Sequence, residues 1–189
     1  MKKLFFSILF MATSLFLWSS CRSENASEAA TPKLYFDLKT YFANQIKQLE
    51  STKTGLVKTV FLNDKQETQQ LNKLNWQDEF ALFINSDINR IAWRDSYSID
   101  SCAMQNNKTH IDYKAADPDL RTQEIRIWLD TDTRQLDSLS VRNKVENVFY
   151  TLDENLYFAP QKSYQIKAVQ KARFAKANTI QINGKMVTK

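Results

Sequence analysis

The apolar positions change rhythm along the chain. Leu4 to Trp18 is an apolar run of about fifteen residues, led by Lys2 and Lys3. That is short of the roughly twenty a bilayer-crossing helix needs. Residues 22–32 then carry almost nothing apolar and end at Pro32. From Lys33 a helical rhythm begins: Leu34, Leu38, Tyr41, Phe42, Gln45 and Leu49 recur opposite Lys39, Lys47 and Glu50. This predicts a helix that stops near Thr54-Gly55. Val57 to Leu62 and Gln66 to Leu71 flank Asn63-Asp64 and read as a hairpin. Asn75-Trp76-Gln77-Asp78 has the form of a capping box. It predicts a second helix with Phe80, Phe83, Ile84 and Ile88 inward.

After Asp95 the period becomes two. Strands are expected over 97–99, 109–114, 122–129, 135–141, 144–152 and 164–174, with Ile125, Ile127 and Leu129 alternating against Glu124, Arg126 and Trp128. Asn183-Gly184, between Ile180-Gln181-Ile182 and Lys185-Met186-Val187, predicts a further hairpin turn. Short connections imply antiparallel neighbours. The expected architecture is an α+β domain over 33–189, with two N-terminal helices packed on a curled antiparallel β-meander, a half-barrel.

Composition removes whole classes of chemistry. The chain has 189 residues, 43% hydrophobic and 25% charged, which is ordinary for a globular domain. Two Gly cannot supply a dinucleotide fingerprint or a phosphate-cradling loop, and two Cys cannot build a disulfide framework or a four-thiolate zinc site. With a single His, a catalytic zinc site and histidine-based nucleophilic catalysis are poorly served. No cofactor or metal is expected, and no catalytic residue is assigned.

The N-terminal run is informative through what ends it. Leu17-Trp18-Ser19-Ser20-Cys21 resembles the lipobox of bacterial lipoproteins, with Trp18 at the place the family usually gives to Leu. A basic start and a short apolar core suit such an export signal. The resemblance covers residues 1–21. It implies that 1–20 is a lipoprotein signal peptide and that Cys21 carries a diacylglyceryl thioether and an amide-linked acyl chain. Residues 21–32 are then the lipidated Cys and a flexible tether. Several acyl chains on one residue anchor stably where one does not. Arg22 stands where an Asp would hold such a protein in the inner membrane, so the outer membrane is expected.

Candidate chemistry in the remaining chain is sparse. His110 shares a strand face with Asp112 but has no nucleophile in a recognisable setting, and reads as a strand histidine. Asp130-Thr131-Asp132-Thr133 after an apolar strand resembles the nucleophile loop of the haloacid-dehalogenase phosphatases. Arg134 breaks that pattern, and Asp and Thr are ordinary turn residues. Cys102 has Asp100 and Ser101 beside it and no cation to activate it, so a half-buried, inert thiol is expected. Asp78, Glu79, Asp87, Arg90, Arg94 and Asp95, around Trp76 and Trp93, read as caps and surface ion pairs.

Charge placement is the least ordinary feature. From Asn155 onward there are seven Lys and Arg and no Asp or Glu. Lys162, Lys167, Lys171, Arg173 and Lys176 form the candidate face for an anionic partner, with Lys167, Lys171 and Arg173 in phase on one side of a strand. Anionic lipid, an acidic glycan or an envelope protein would suit it; nucleic acid would not, for an exported chain without a recognition motif. The expected function is a non-enzymatic binding or assembly module tethered to the membrane through Cys21. Two alternatives stand beside it. A curled sheet with helices across its mouth resembles, at fold level alone, the lipid and lipoprotein carriers of the envelope. A hydrolase of envelope polymers would rest on carboxylates such as Asp95, Asp112 or Asp130.

Overall fold

A computed structural model describes residues 33–63, 65–104 and 107–188. The signal, Cys21, Arg22 and the tether of the sequence reading lie outside the described residues.

Helix α1 (Leu38–Ser51) forms within the predicted span but begins a turn later than the rhythm suggests, leaving Leu34 outside it and exposed. Asp37 caps it by accepting the Thr40 amide, and Leu38, Phe42, Ile46 and Leu49 form its buried stripe. Lys53, in the left-handed region at φ 49°, turns the chain away. Strands β1 (Gly55–Leu62) and β2 (Lys65–Leu71) pair as the expected hairpin.

The second helix is where the expectation needs correcting. Asn75 caps as foreseen, its side chain accepting the Gln77 amide at 3.0 Å. The chain then makes two single turns, α2 (Trp76–Glu79) and α3 (Ala81–Ile84), broken at Phe80. Polar side chains beyond α3 bind the local backbone instead of extending the helix: Ser86 Oγ donates to Leu82 O at 2.7 Å, and Asp87 accepts the Asn89 amide at 2.9 Å. Of the residues predicted inward, Phe80, Phe83 and Ile88 are fully buried and Ile84 is half-buried against the core.

Seven more strands follow a short 3-10 turn at Ile91–Trp93: β3 (Tyr97–Met104), β4 (Lys108–Ala115), β5 (Thr122–Asp130), β6 (Leu136–Glu146), β7 (Tyr150–Ala159), β8 (Ser163–Ala172) and β9 (Asn178–Val187). All pair antiparallel in one open sheet of order β2-β1-β9-β8-β7-β6-β5-β4-β3. The early hairpin therefore belongs to the same sheet, joined through β1 on β9. A strand expected over 144–152 is instead two strands around a turn at 147–149, because Asn147 Oδ1 accepts the Phe149 and Tyr150 amides at 2.9 and 3.0 Å. The turn expected at Asn183-Gly184 is absent. Gly184 sits mid-strand in β9, opposite Tyr164 of β8.

One face of the sheet is covered by α1 and the 76–88 segment. Phe42, Phe80, Phe83 and Phe158 meet there with ring centroids 4.9 to 6.3 Å apart. Ile125, Ile127, Leu139, Leu156 and Ile166 line it from the strands. Burial of this aromatic-rich layer is the main stabilising term of the fold.

Candidate functional site

The opposite face of the sheet is polar, and strand alternation decides which side chains it presents. Register places Arg126 of β5 beside Ser140 of β6, Arg142 beside Asn155 of β7, and Asn155 beside Lys167 of β8. Tyr157 and Gln165 form the next cross-strand pair. These side chains border a groove of about 660 Å3 over β5–β8.

The groove holds three cations and two carboxylates, and both carboxylates are engaged. Arg126 Nη2 lies 2.9 Å from Glu124 Oε2, and Arg142 Nη2 lies 3.3 Å from Asp153 Oδ2. Asn155 also donates to Asp153 at 3.1 Å. The Lys167 ammonium has no hydrogen bond or ion pair among the described residues, and its exposed side chain stands between Asn155 and Gln181. An anion entering the groove would meet an uncompensated charge flanked by amides and the Tyr157 ring, which is 42% exposed.

The basic residues singled out in the sequence do not form one patch. Lys167 lines the groove, and Lys171 lies farther along the same face of β8. Arg173 and Lys176 stand on the β8–β9 loop, and Lys162 is in the β7–β8 turn. The ten residues of β8 separate Lys162 from Arg173, a strand length of roughly 33 Å. Cys21 lies outside the described residues.

Beside the groove, on β3–β5, the His110 ring stacks on Trp128 at 4.9 Å. His110 Nε2 and Asp112 Oδ1 are 2.9 Å apart, without the alignment of a hydrogen bond. Cys102 pairs across from His110 in the strand register. The thiol was expected half-buried but is exposed, because β3 is an edge strand that nothing covers among the described residues. Among the described residues no three His, Cys, Asp or Glu side chains are placed to share a metal ion.

The carboxylates considered for hydrolysis do not converge. Asp130 closes the β5–β6 turn, where the Thr133 amide at 2.8 Å and hydroxyl at 2.9 Å hold its carboxyl below the usual carboxylate range. Asp112 is in mid-β4, and Asp95 precedes β3 at the opposite end of the sheet from Asp130.

Two polar clusters differ from what the sequence suggests: Glu79, expected in a surface ion pair, is mostly buried, and the group around Glu154 was not expected. Glu79 accepts both the Lys58 ammonium at 2.8 Å and the Tyr164 hydroxyl at 2.5 Å. Buried Glu154 accepts Arg121 Nη2 at 2.8 Å and Asn143 Nδ2 at 3.2 Å, and Asn143 reaches buried Ser86 at 2.9 Å. Both tie the 76–88 segment to the sheet. The only sequence signal for the second was a charged residue, Glu154, on the apolar phase of β7.

No family model matches the chain, and neither a curated protein nor a solved structure is significantly similar to it.

Proposed function

We propose that this chain is an envelope lipoprotein anchored through Cys21, whose domain is a non-enzymatic module that binds an acidic glycan in the groove over β5–β8. The observation that carries the reading is Lys167, an ammonium without a partner among the described residues, set among Asn155, Gln165 and Tyr157. A uronate carboxylate would pair with that ammonium, sugar hydroxyls would find the amides, and the half-exposed phenol ring offers an apolar surface for a pyranose. The sheet, read as a curled half-barrel, turns this face away from the helices. The packed phenylalanines on the other face weigh against carriage of a lipid inside the fold. The arginine-paired Glu124 and Asp153 weigh against acid–base catalysis in the groove.

The test is calorimetric titration of the mature chain with a uronate polymer and with neutral dextran. Binding to the uronate polymer alone, weakened by salt and at least tenfold by Lys167→Glu, is the expected result. Equal affinity for dextran, or an indifferent Lys167→Glu variant, would overturn the glycan reading. Mass spectrometry of native protein against a Cys21→Ala control checks the anchor, and an unmodified Cys21 would overturn it.

A further inference from the structure

Loop ends of the sheet carry the second unusual surface. The β6–β7 turn, the β8–β9 loop and the β1–β2 turn all fall at one end of the sheet, as the antiparallel registers require. Two of these connections are joined there, because the Arg173 amide donates to Phe149 O at 2.9 Å. Val148 is 70% exposed, Phe149 76% and Phe174 94%. Three large apolar side chains on two adjoining tips are what a folded chain normally buries.

The same tips are basic. Lys171, Arg173 and Lys176 are exposed and form no ion pair among the described residues, and the Arg173 guanidinium lies 5.6 Å from the Phe174 ring centroid. Among the described residues, carboxylates at this end stand on other connections or are engaged. Glu146 is held by Lys144 at 2.7 Å, and Asp117 and Asp119 are on the β4–β5 connection, beyond β6 from these tips. Apolar rings projecting past a collar of cations match the layered chemistry of an anionic bilayer surface, with acyl chains below and phosphates above.

The start of the described chain lies at this end as well. Tyr35 packs its ring on Tyr97 and Tyr113 at 5.7 and 5.6 Å and donates its hydroxyl to Arg94 O at 2.6 Å. Tyr97 opens β3 opposite Ala115, the residue that leads into the β4–β5 connection.

We infer that Val148, Phe149 and Phe174 form a second membrane contact, inserted at the headgroup–acyl boundary of an anionic bilayer, with Lys171, Arg173 and Lys176 on its phosphates. The contact fixes which end of the sheet faces the membrane and leaves the groove of the polar face open at the side.

The test is flotation of the unlipidated chain from Arg22 onward with phosphatidylglycerol–phosphatidylethanolamine vesicles and with phosphatidylcholine vesicles. Every contact described for the fold is made within residues 33–188, so this chain keeps it whole. Binding to the anionic vesicles is expected, with at least a tenfold loss in the Phe149→Ser/Phe174→Ser double variant. A several-fold loss is expected in Arg173→Glu/Lys176→Glu. Both variants should keep the parent melting temperature, since the replaced side chains are exposed. A Phe174→Trp variant should add a blue-shifted emission component on contact with the anionic vesicles. No flotation of the parent chain, or equal flotation of the double Phe variant, overturns the inference. Because the protein tested carries no lipid, neither result depends on whether Cys21 is acylated.

Discussion

Gly184 has a hydrogen where any other residue would drive a carbon into the Tyr164 ring. A Cβ built there would stand 2.1 Å from Tyr164 Cε1 and 2.4 Å from Cζ. Glycine inside a strand usually weakens it, but here the cross-strand ring fills the space, and its hydroxyl reaches Glu79 at 2.5 Å. Gly184→Ala must therefore displace a buried ring and its hydrogen bond together. The expected loss is about 3 kcal/mol, read from the urea midpoint. In a Tyr164→Ala background the same substitution should cost less than about 1 kcal/mol, because the clash has gone. The turn expected at Asn183-Gly184 went astray at this residue. The dipeptide signals freedom to take positive φ, but this glycine serves a close approach, and the aromatic that needs it lies twenty residues earlier in the chain.

Among the elements, legibility followed how local the cause was. Helix α1 shows its periodicity in fourteen residues and its cap in one, and it forms within the span the pattern marks. Strands β5 and β8 were also plain over part of their length, since buried residues alternate with half-buried or exposed ones over 125–129 and 164–167. The split helix over 76–84 was harder, because Asn75 and the inward aromatics signal the start and the face, while the stop depends on Ser86 and Asp87 finding backbone partners. The β6–β7 turn had a visible cause in Asn147, masked by the apolar Val145, Val148 and Phe149 around it. Asp37 allows the capping argument to be tested. Burial pushes its carboxyl up, but hydrogen bonds from Lys33 and from the Thr40 side chain and amide outweigh that and leave it below the usual value. A lowered carboxyl contributes stability that is present above the ordinary pKa of 3.8 and is lost as pH falls through the folded value. Asp37→Ala should lower stability by about 1 kcal/mol at pH 7. In denaturant titrations the gap between variant and parent should close as the pH falls below 3.8.

At the scale of the molecule, the pairing of β1 on β9 and the polar groove were not legible: the first joins residues more than a hundred positions apart, and the second draws side chains from four strands over residues 124–167. The groove assembles Arg126, Arg142 and Lys167 from three strands whose side chains share only a parity. Glu124, two residues before Arg126 on the same strand face, hinted at that pair, but nothing near Arg142 announced Asp153 eleven residues on, nor that Lys167 would have no partner among the described residues. The tyrosines show a second property of the whole fold. Tyr41 on α1, Tyr97 on β3, Tyr113 on β4 and Tyr164 on β8 all have phenols pushed up by burial. Tyr97, whose hydroxyl also donates to Thr122 O at 2.8 Å, is raised to about 12, and Glu79 adds to the rise at Tyr164. A raised pKa means that the stabilising contribution is complete below the unfolded value of 10.0 and is lost as pH climbs through the folded one. Each such phenol removes about 1.4 kcal/mol per pH unit in that interval. Tyr41, Tyr97 and Tyr164 together remove about 4 kcal/mol per unit, a large fraction of the stability of a domain. The melting temperature should therefore hold nearly level to pH 10 and fall steeply by pH 12, with a cooperative rise in tyrosinate absorbance as the core opens. Tyr41→Phe should make the fall shallower by about 1.4 kcal/mol per pH unit. A decline that begins well below pH 10, or one that Tyr41→Phe leaves unaltered, would show that these buried phenols do not govern the alkaline limit of the fold.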